Sequence, residues 1–217
     1  MPAKAWPRRS DDPVQAARLA AAAERTLAAL PVAPSTEAAR CRLLATLALE
    51  LRGARDPRGP QAAAEAERLA ENLGEPALLA LALNGQFLHS CTRAGLAARR
   101  DRIGARIVEL ADRHDLPSSQ VLGHLVRLQA RGALGDFTGA DHHAATADRL
   151  ADRYERPLAT VFTRWYRAMR LAAHGHPDAA RQAYQAAEEE LAAGGMPGLR
   201  GPGRSAFRAR TPCGPDV

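Results

Sequence analysis

Three stretches of this chain repeat one another at a nearly fixed interval. Ala66-Glu67-Arg68-Leu69-Ala70-Glu71 runs on to Pro76, Val108-Glu109-Leu110-Ala111-Asp112 to Pro117, and Ala147-Asp148-Arg149-Leu150-Ala151-Asp152 to Pro157. In each the Leu precedes the Pro by seven residues, and successive prolines stand 41 and 40 residues apart. An internal period of this length marks a chain of stacked units, because one such unit cannot bury its apolar face alone. Proline suits the first turn of a helix, where its missing N–H would have had no partner. Each Pro is therefore predicted to open the first helix of a hairpin. A glycine then marks the turn into the second, at Gly135-Asp136-Phe137-Thr138-Gly139-Ala140 and Gly175-His176-Pro177-Asp178-Ala179-Ala180. Beyond the turn, Ala140, Ala144 and Ala147 in one unit and Ala180, Tyr184 and Ala187 in the next keep the spacing of a single helix face. That stripe is expected to pack against the preceding helix.

This combination resembles the tetratricopeptide repeat, whose usual period is about 34 residues; a period near 40 calls for longer helices or turns. Helices are predicted at 13–30, 36–52, 60–73, 76–93, 98–114, 118–134, 138–154, 157–173 and 177–193. The chain holds 49 Ala and 27 Leu against nine Ile and Val together, so helix formers dominate and residues suited to a pleated surface are scarce. The expected fold is all-α, a tetratricopeptide-like α-solenoid of antiparallel helix hairpins. Leu, Ile, Val and Phe sum to about 18 % of the 217 residues, under the rough 20 % line at which disorder becomes a serious reading. The net charge of only +6 and the helical recurrence of apolar residues argue for a folded chain. The organisation expected is a disordered basic N-terminus over 1–12, helical repeats over 13–193, and a disordered tail over 194–217. That tail holds six Gly and four Pro without apolar periodicity. A solenoid is expected to end in a capping helix with a polar outer face, and none is legible after Ala193. A natural linker and a reading frame truncated or shifted near Gly198 both stay open.

Several function classes are not expected. No window approaches the roughly 18 apolar residues of a membrane span, and no apolar stretch follows the basic N-terminus as in a signal peptide, so a cytoplasmic location is expected. The basic excess sits largely at the two ends: Arg200, Arg204, Arg208 and Arg210 stand against Asp216. A pI near 10 is thus no nucleic-acid footprint, which needs cations gathered on one face of a folded element. Any attraction to DNA is expected to be weak, salt-sensitive and without sequence preference. Cys41, Cys91 and Cys213 are odd in number and far apart, supporting neither a disulfide framework nor a zinc knuckle. No P-loop, dinucleotide-binding or nucleophile-elbow motif occurs. The histidine pair His142-His143 points two ways on a helix, and no H-E-x-x-H exists. Asp148 and Asp152 interleave with Arg149 and Arg153, as on a solvated charged face. Neither catalysis nor a cofactor or metal is expected.

The informative constellation lies on the Pro-opened helices. Offsets of four, five and eight from each Pro give Ala80, Leu81 and Asn84; Val121, Leu122 and Leu125; and Val161, Phe162 and Trp165. That is the expected core face, with Trp165 as a core anchor. Offsets of three, seven, ten and fourteen give Gln120, His124, Arg127 and Arg131 in one repeat and Thr160, Arg164, Arg167 and Leu171 in the next. First helices line the concave groove of a tetratricopeptide superhelix. His124, Arg127, Arg131, Arg164 and Arg167 are therefore the candidate groove that binds an acidic segment of a partner or of the parent protein; an ordinary solvated face is the alternative.

At Leu81-Ala82-Leu83-Asn84-Gly85-Gln86-Phe87, Arg93-Ala94-Gly95-Leu96, Val121-Leu122-Gly123-His124-Leu125, Gly135-Asp136-Phe137 and Phe162-Thr163-Arg164-Trp165-Tyr166, the chain resembles a known family. It is similar to the C-terminal helical-repeat region of large actinobacterial transcriptional regulators of the AfsR/SARP group, over roughly residues 36–199. Related repeats occur in LuxR-type regulators. Members of this size class carry a winged-helix DNA-binding domain, a helical activation domain and a nucleotide-binding ATPase domain before the repeats. No positions of this chain match those domains, so their DNA- and ATP-binding residues are not carried over. The resemblance implies a sensor or interaction module of a regulator, whose partners are another protein or attached domains. A free-standing adaptor unrelated to transcription and a non-functional gene remnant are the alternatives.

Overall fold

The computed structural model describes residues 13–53 and 56–193. The expectations for residues 1–12 and 194–217 lie outside that range. Among the described residues all regular structure is helical: α1 (Pro13–Ala29), α2 (Glu37–Glu50), α3 (Arg58–Leu73), α4 (Pro76–Ser90), α5 (Ala97–His114), α6 (Pro117–Leu134), α7 (Phe137–Arg153), α8 (Pro157–Ala173) and α9 (Pro177–Ala193). Every helix lies within three residues of its predicted bounds. The fold is the expected all-α helical repeat, and Pro76, Pro117 and Pro157 open α4, α6 and α8 as first-turn prolines. No described helix is long and apolar enough to cross a membrane.

The turns explain the period. From α3 onward a residue with left-handed backbone stands two positions before each new helix: Gly74, Gly95, Asp115, Gly135, Glu155 and Gly175. These positions recur every 20 or 21 residues, so one helix and its turn form the half-repeat. At five of the six the preceding helix closes with the same pattern, in which the N–H one residue beyond the left-handed position donates back to a carbonyl of the last turn. Examples are Glu75 to Ala70 at 3.3 Å, Leu116 to Ala111 at 3.1 Å and Arg156 to Ala151 at 2.8 Å. This closure satisfies carbonyls that a helix end would leave without partners. Glycine adopts the left-handed backbone freely, whereas Asp115 and Glu155 do so against the clash of their own Cβ.

The chain divides into two compact units, one through Leu150 and one from Ala151. In the first, consecutive helices from α1 to α6 pack on one another, and α2 also touches α4. Leu44, Leu47 and Leu78 fill the space among α2, α3 and α4, with Ala45, Ala63 and Ala66 fully buried beside them. Alanine adds little apolar area per residue but lets helix backbones come close. Leu83, Ile103 and Ile107 join α4 to α5. Helices α5 and α6 approach closely: a Cβ on Gly104 would stand 2.9 Å from Val126 Cγ1 and 3.2 Å from the Arg127 nitrogen. One on Gly123 would stand 3.0 Å from the Val108 nitrogen and 3.2 Å from the Gly104 oxygen. In the second unit Val161 of α8 meets Ala187 of α9, with Leu158 and Trp165 packed against them. The Trp165 ring stands edge-on to Phe162 at 5.5 Å, in the anchoring role expected of it.

Candidate functional site

The first unit holds His124, Arg127 and Arg131 of the expected groove on α6. None of the three is a bare surface group. Val121 through Val126 are buried without interruption, and His124 within that run is 9 % exposed. Its Nδ1 lies 2.9 Å from Nδ1 of His143 on α7, so one ring carries the proton and donates to the lone pair of the other. The ring centroids are 5.1 Å apart. Burial is the main cause that pushes both imidazoles down to about 4. Around His124, Asp112 works against that shift while Arg127, His142 and Arg149 reinforce it. Arg127, His124, His142 and Arg131 do the same around His143. The pair is neutral at physiological pH, held by its own hydrogen bond.

Arg127 and Arg131 stand one helical turn apart, and both reach the same carboxylate. Their Nε atoms donate to Oδ1 of Asp101 on α5 at 3.1 and 3.0 Å. Arg131 Nη1 also donates to Asp136 Oδ2 at 2.6 Å, and Asp136 Oδ1 accepts the Gly139 backbone N–H at 2.9 Å. Burial raises the Asp101 pKa, but the hydrogen bonds from Arg131 and Arg127 outweigh it and hold the carboxyl below its usual range. An incoming acidic group at Arg127 would compete with a carboxylate already in place, whose side chain is only 18 % exposed.

In the second unit Arg164 of α8 forms an ion pair with Glu190 of α9, and Arg167 is exposed. The first core face is as expected: Ala80, Asn84, Val121, Leu122, Leu125 and Val161 are buried, and Leu81, Phe162 and Trp165 are half-buried.

A different arginine cluster lies on α5. Arg99, Arg102 and Arg106, at spacings of three and four residues, stand on one face of that helix. They line a cavity of about 330 Å³ together with Ile103 of α5, Leu83 and Gln86 of α4, and Glu67 of α3. Arg106 bridges back to α3, with Nη1 at 2.6 Å from Glu67 Oε1 and Nη2 at 2.7 Å from Glu71 Oε1. Arg99 Nη2 donates to the neutral amide oxygen Oε1 of Gln86 at 3.0 Å, a partner that carries no charge. Arg102 is exposed at the same rim. Three guanidiniums thus share the cavity with one carboxylate, over a floor of Leu83 and Ile103. Such a surface attracts an anion and offers apolar area to whatever carries it. Sequence reasoning, confined to the Pro-opened helices, missed this face, although the three-and-four spacing of its arginines was a readable signal.

The neighbouring Arg100 shows a contrasting use of the same residue type. It is buried, with Nη1 donating to the Ser90 carbonyl at 3.1 Å and Nε to Gln129 Oε1 at 2.9 Å, and it ties α5 to the ends of α4 and α6. Among the described residues no group of three or more His, Cys, Asp or Glu side chains is placed to hold a metal ion. Cys41 is buried, its Sγ donating to the Ala66 carbonyl at 3.3 Å, and burial pushes its thiol up. Compared with protein-family models, curated proteins and solved structures, the chain matches none. Fold and site together define a class: an all-α helical repeat with a guanidinium-rimmed cavity among α3, α4 and α5.

Proposed function

We propose that this chain is a non-catalytic docking module, a helical-repeat segment of a transcriptional regulator that holds an acidic segment of a protein partner or of an attached domain. The observation that carries the docking part is the cation surplus at the α5 cavity, where Arg99 meets only a neutral amide and Arg102 is exposed beside it. Charge of one sign around a partly enclosed cleft raises the local concentration of the opposite sign and steers its approach. The regulatory part rests on the resemblance around Leu81–Phe87, Val121–Leu125 and Phe162–Tyr166.

Both parts have a direct test. Fluorescence anisotropy of the full chain with labelled acidic, neutral and basic peptides is expected to show binding of the acidic peptide alone, weakened as salt rises above about 0.15 M. Equal binding of the basic peptide, or binding that salt does not touch, contradicts the docking reading. For the regulatory reading, sequencing the genomic locus across both ends of the reading frame is expected to find coding sequence for a winged helix and a P-loop in continuous frame upstream. Stop codons there, with a ribosome-binding site before Met1, favour the free-standing adaptor.

A further inference from the structure

The shape and chemistry of the α5 cavity narrow what an acidic partner must look like. Its volume, about 330 Å³, lies at the lower end of the range for ligand sites and suits one or two side chains rather than a folded domain. One wall is cationic. Arg102 and Arg99 present guanidinium N–H groups, which match a carboxylate in the two-pronged geometry that makes Arg–carboxylate pairs strong. The floor is apolar, with Leu83 and Ile103 drawn from the small cluster that joins α4 to α5. Glu67 also lines the cavity, held in place by Arg106, and a carboxylate there accepts from a peptide N–H while it repels a run of phosphates. None of the lining side chains is aromatic, so the cavity lacks the stacking platforms with which proteins hold single-stranded nucleic acid.

We propose that the cavity between α3, α4 and α5 seats an acidic–aliphatic stretch of a partner polypeptide. One Asp or Glu carboxylate is held by Arg102 and Arg99, and the adjoining Leu- or Ile-type side chain lies over Leu83 and Ile103. This inference deepens the docking reading and rests on it. Arg102 is the specificity-determining residue: it is exposed and its loss is expected to leave the fold intact, whereas Arg106 also clamps α5 to α3 through Glu67 and Glu71.

The test uses the full chain and a fluorescein-labelled peptide of alternating Asp and Leu flanked by Gly and Ser. Arg102→Glu is expected to weaken binding about tenfold or more, since it replaces an attraction by a repulsion. Replacing the leucines of the peptide by serines is expected to weaken it by a similar factor. Arg113→Glu serves as the charge control, because Arg113 lies on the same helix, outside the cavity lining, and pairs with Glu109; it is expected to bind as the unaltered chain does. If the peptide binds but Arg102→Glu changes nothing, or Arg113→Glu weakens it equally, the cavity assignment falls while acidic docking stands. If no acidic peptide binds even at about 50 mM salt, the docking reading itself falls. Full competition by millimolar inorganic phosphate, or tighter binding of an oligothymidylate with the same Arg102 dependence, overturns the peptide in favour of a phosphate ligand.

Discussion

Arg127 and Arg131 on α6, four residues apart, and Arg99 and Arg102 on α5, three apart, are two pairs of one residue type, each on a single helix face, on adjacent helices of one unit. Their fates differ. The α6 pair converges on Asp101 at 3.1 and 3.0 Å, and its charge is answered within the fold. The α5 pair meets an amide and open solvent around a cavity. What separates them is which side chain the neighbouring helix offers, and that is set by how closely the helices pack and in what register. Gly104 and Gly123 fix the register of α5 on α6 and bring Asp101 under both α6 arginines. An arginine stripe therefore keeps its charge open to an outside anion only where the facing helix withholds a carboxylate.

The most damaging change is one that pushes α5 and α6 apart. Gly123→Leu places a side chain against the Val108 and Gly104 backbone, which cannot rotate away, and is expected to cost about 3 kcal/mol or more in urea denaturation. A loss below about 1 kcal/mol would show that the contact is looser than the geometry implies. Next in size is Asp101→Ala, which takes the carboxylate from Arg127, leaves Arg131 with Asp136 alone, and is expected to cost about 2 kcal/mol. Arg102→Ala, by contrast, is expected to shift stability by no more than about 0.5 kcal/mol. Equal effects would erase the distinction between the two clusters.

Acid acts on the α6–α7 contact, through the buried histidine pair. With folded pKa values near 4 for His124 and His143 and ordinary values near 6.5 when unfolded, the unfolded chain binds more protons across that window. Stability is therefore expected to be flat above about pH 6.5 and to fall as pH drops toward 4. Urea midpoints at about pH 7 and pH 5 check this, and His143→Asn should flatten the difference; an unchanged slope would show that carboxylates alone carry it. A small effect of the opposite sign is expected at the turns. Glu155→Gly relieves a left-handed backbone and is expected to stabilise by up to about 1 kcal/mol, with Asp115→Gly giving less because Asp tolerates that region better. Gly135→Ala should move stability the other way.

The same turns mark how far the amino-acid sequence announces the fold. Proline at 76, 117 and 157 and glycine at 135 and 175 signal the hairpins, since each residue type suits a backbone state the fold then uses. Asp115 and Glu155 occupy the same left-handed position as Gly74 without any local signal, and only the 20-residue step exposes them. Helix ends drift for local reasons. The last turn of α4 stops at Ser90, where Ser90 Oγ donates to the Phe87 carbonyl at 2.5 Å and Thr92 Oγ1 to that of His89 at 2.8 Å. The first turn of α3 begins early because Asp56 Oδ1 accepts the Arg58 N–H at 2.9 Å. The site is less legible than the fold. Periodicity tells which residues share a helix face but not what covers that face, so the polar stripe of His124, Arg127 and Arg131 gives no hint of Asp101 or His143, which come from other helices.

The claim that α6 charge is engaged within the fold while α5 charge is not has one direct readout, the rate at which each arginine of the native chain reacts with an arginine-selective dicarbonyl, followed by peptide mass spectrometry. Arg99 and Arg102 are expected to be modified well before Arg127 and Arg131, and Asp101→Asn is expected to bring Arg127 up toward the fast class. Equal rates for all four in the unaltered chain, or a fast Arg127 with Asp101 intact, would contradict the account.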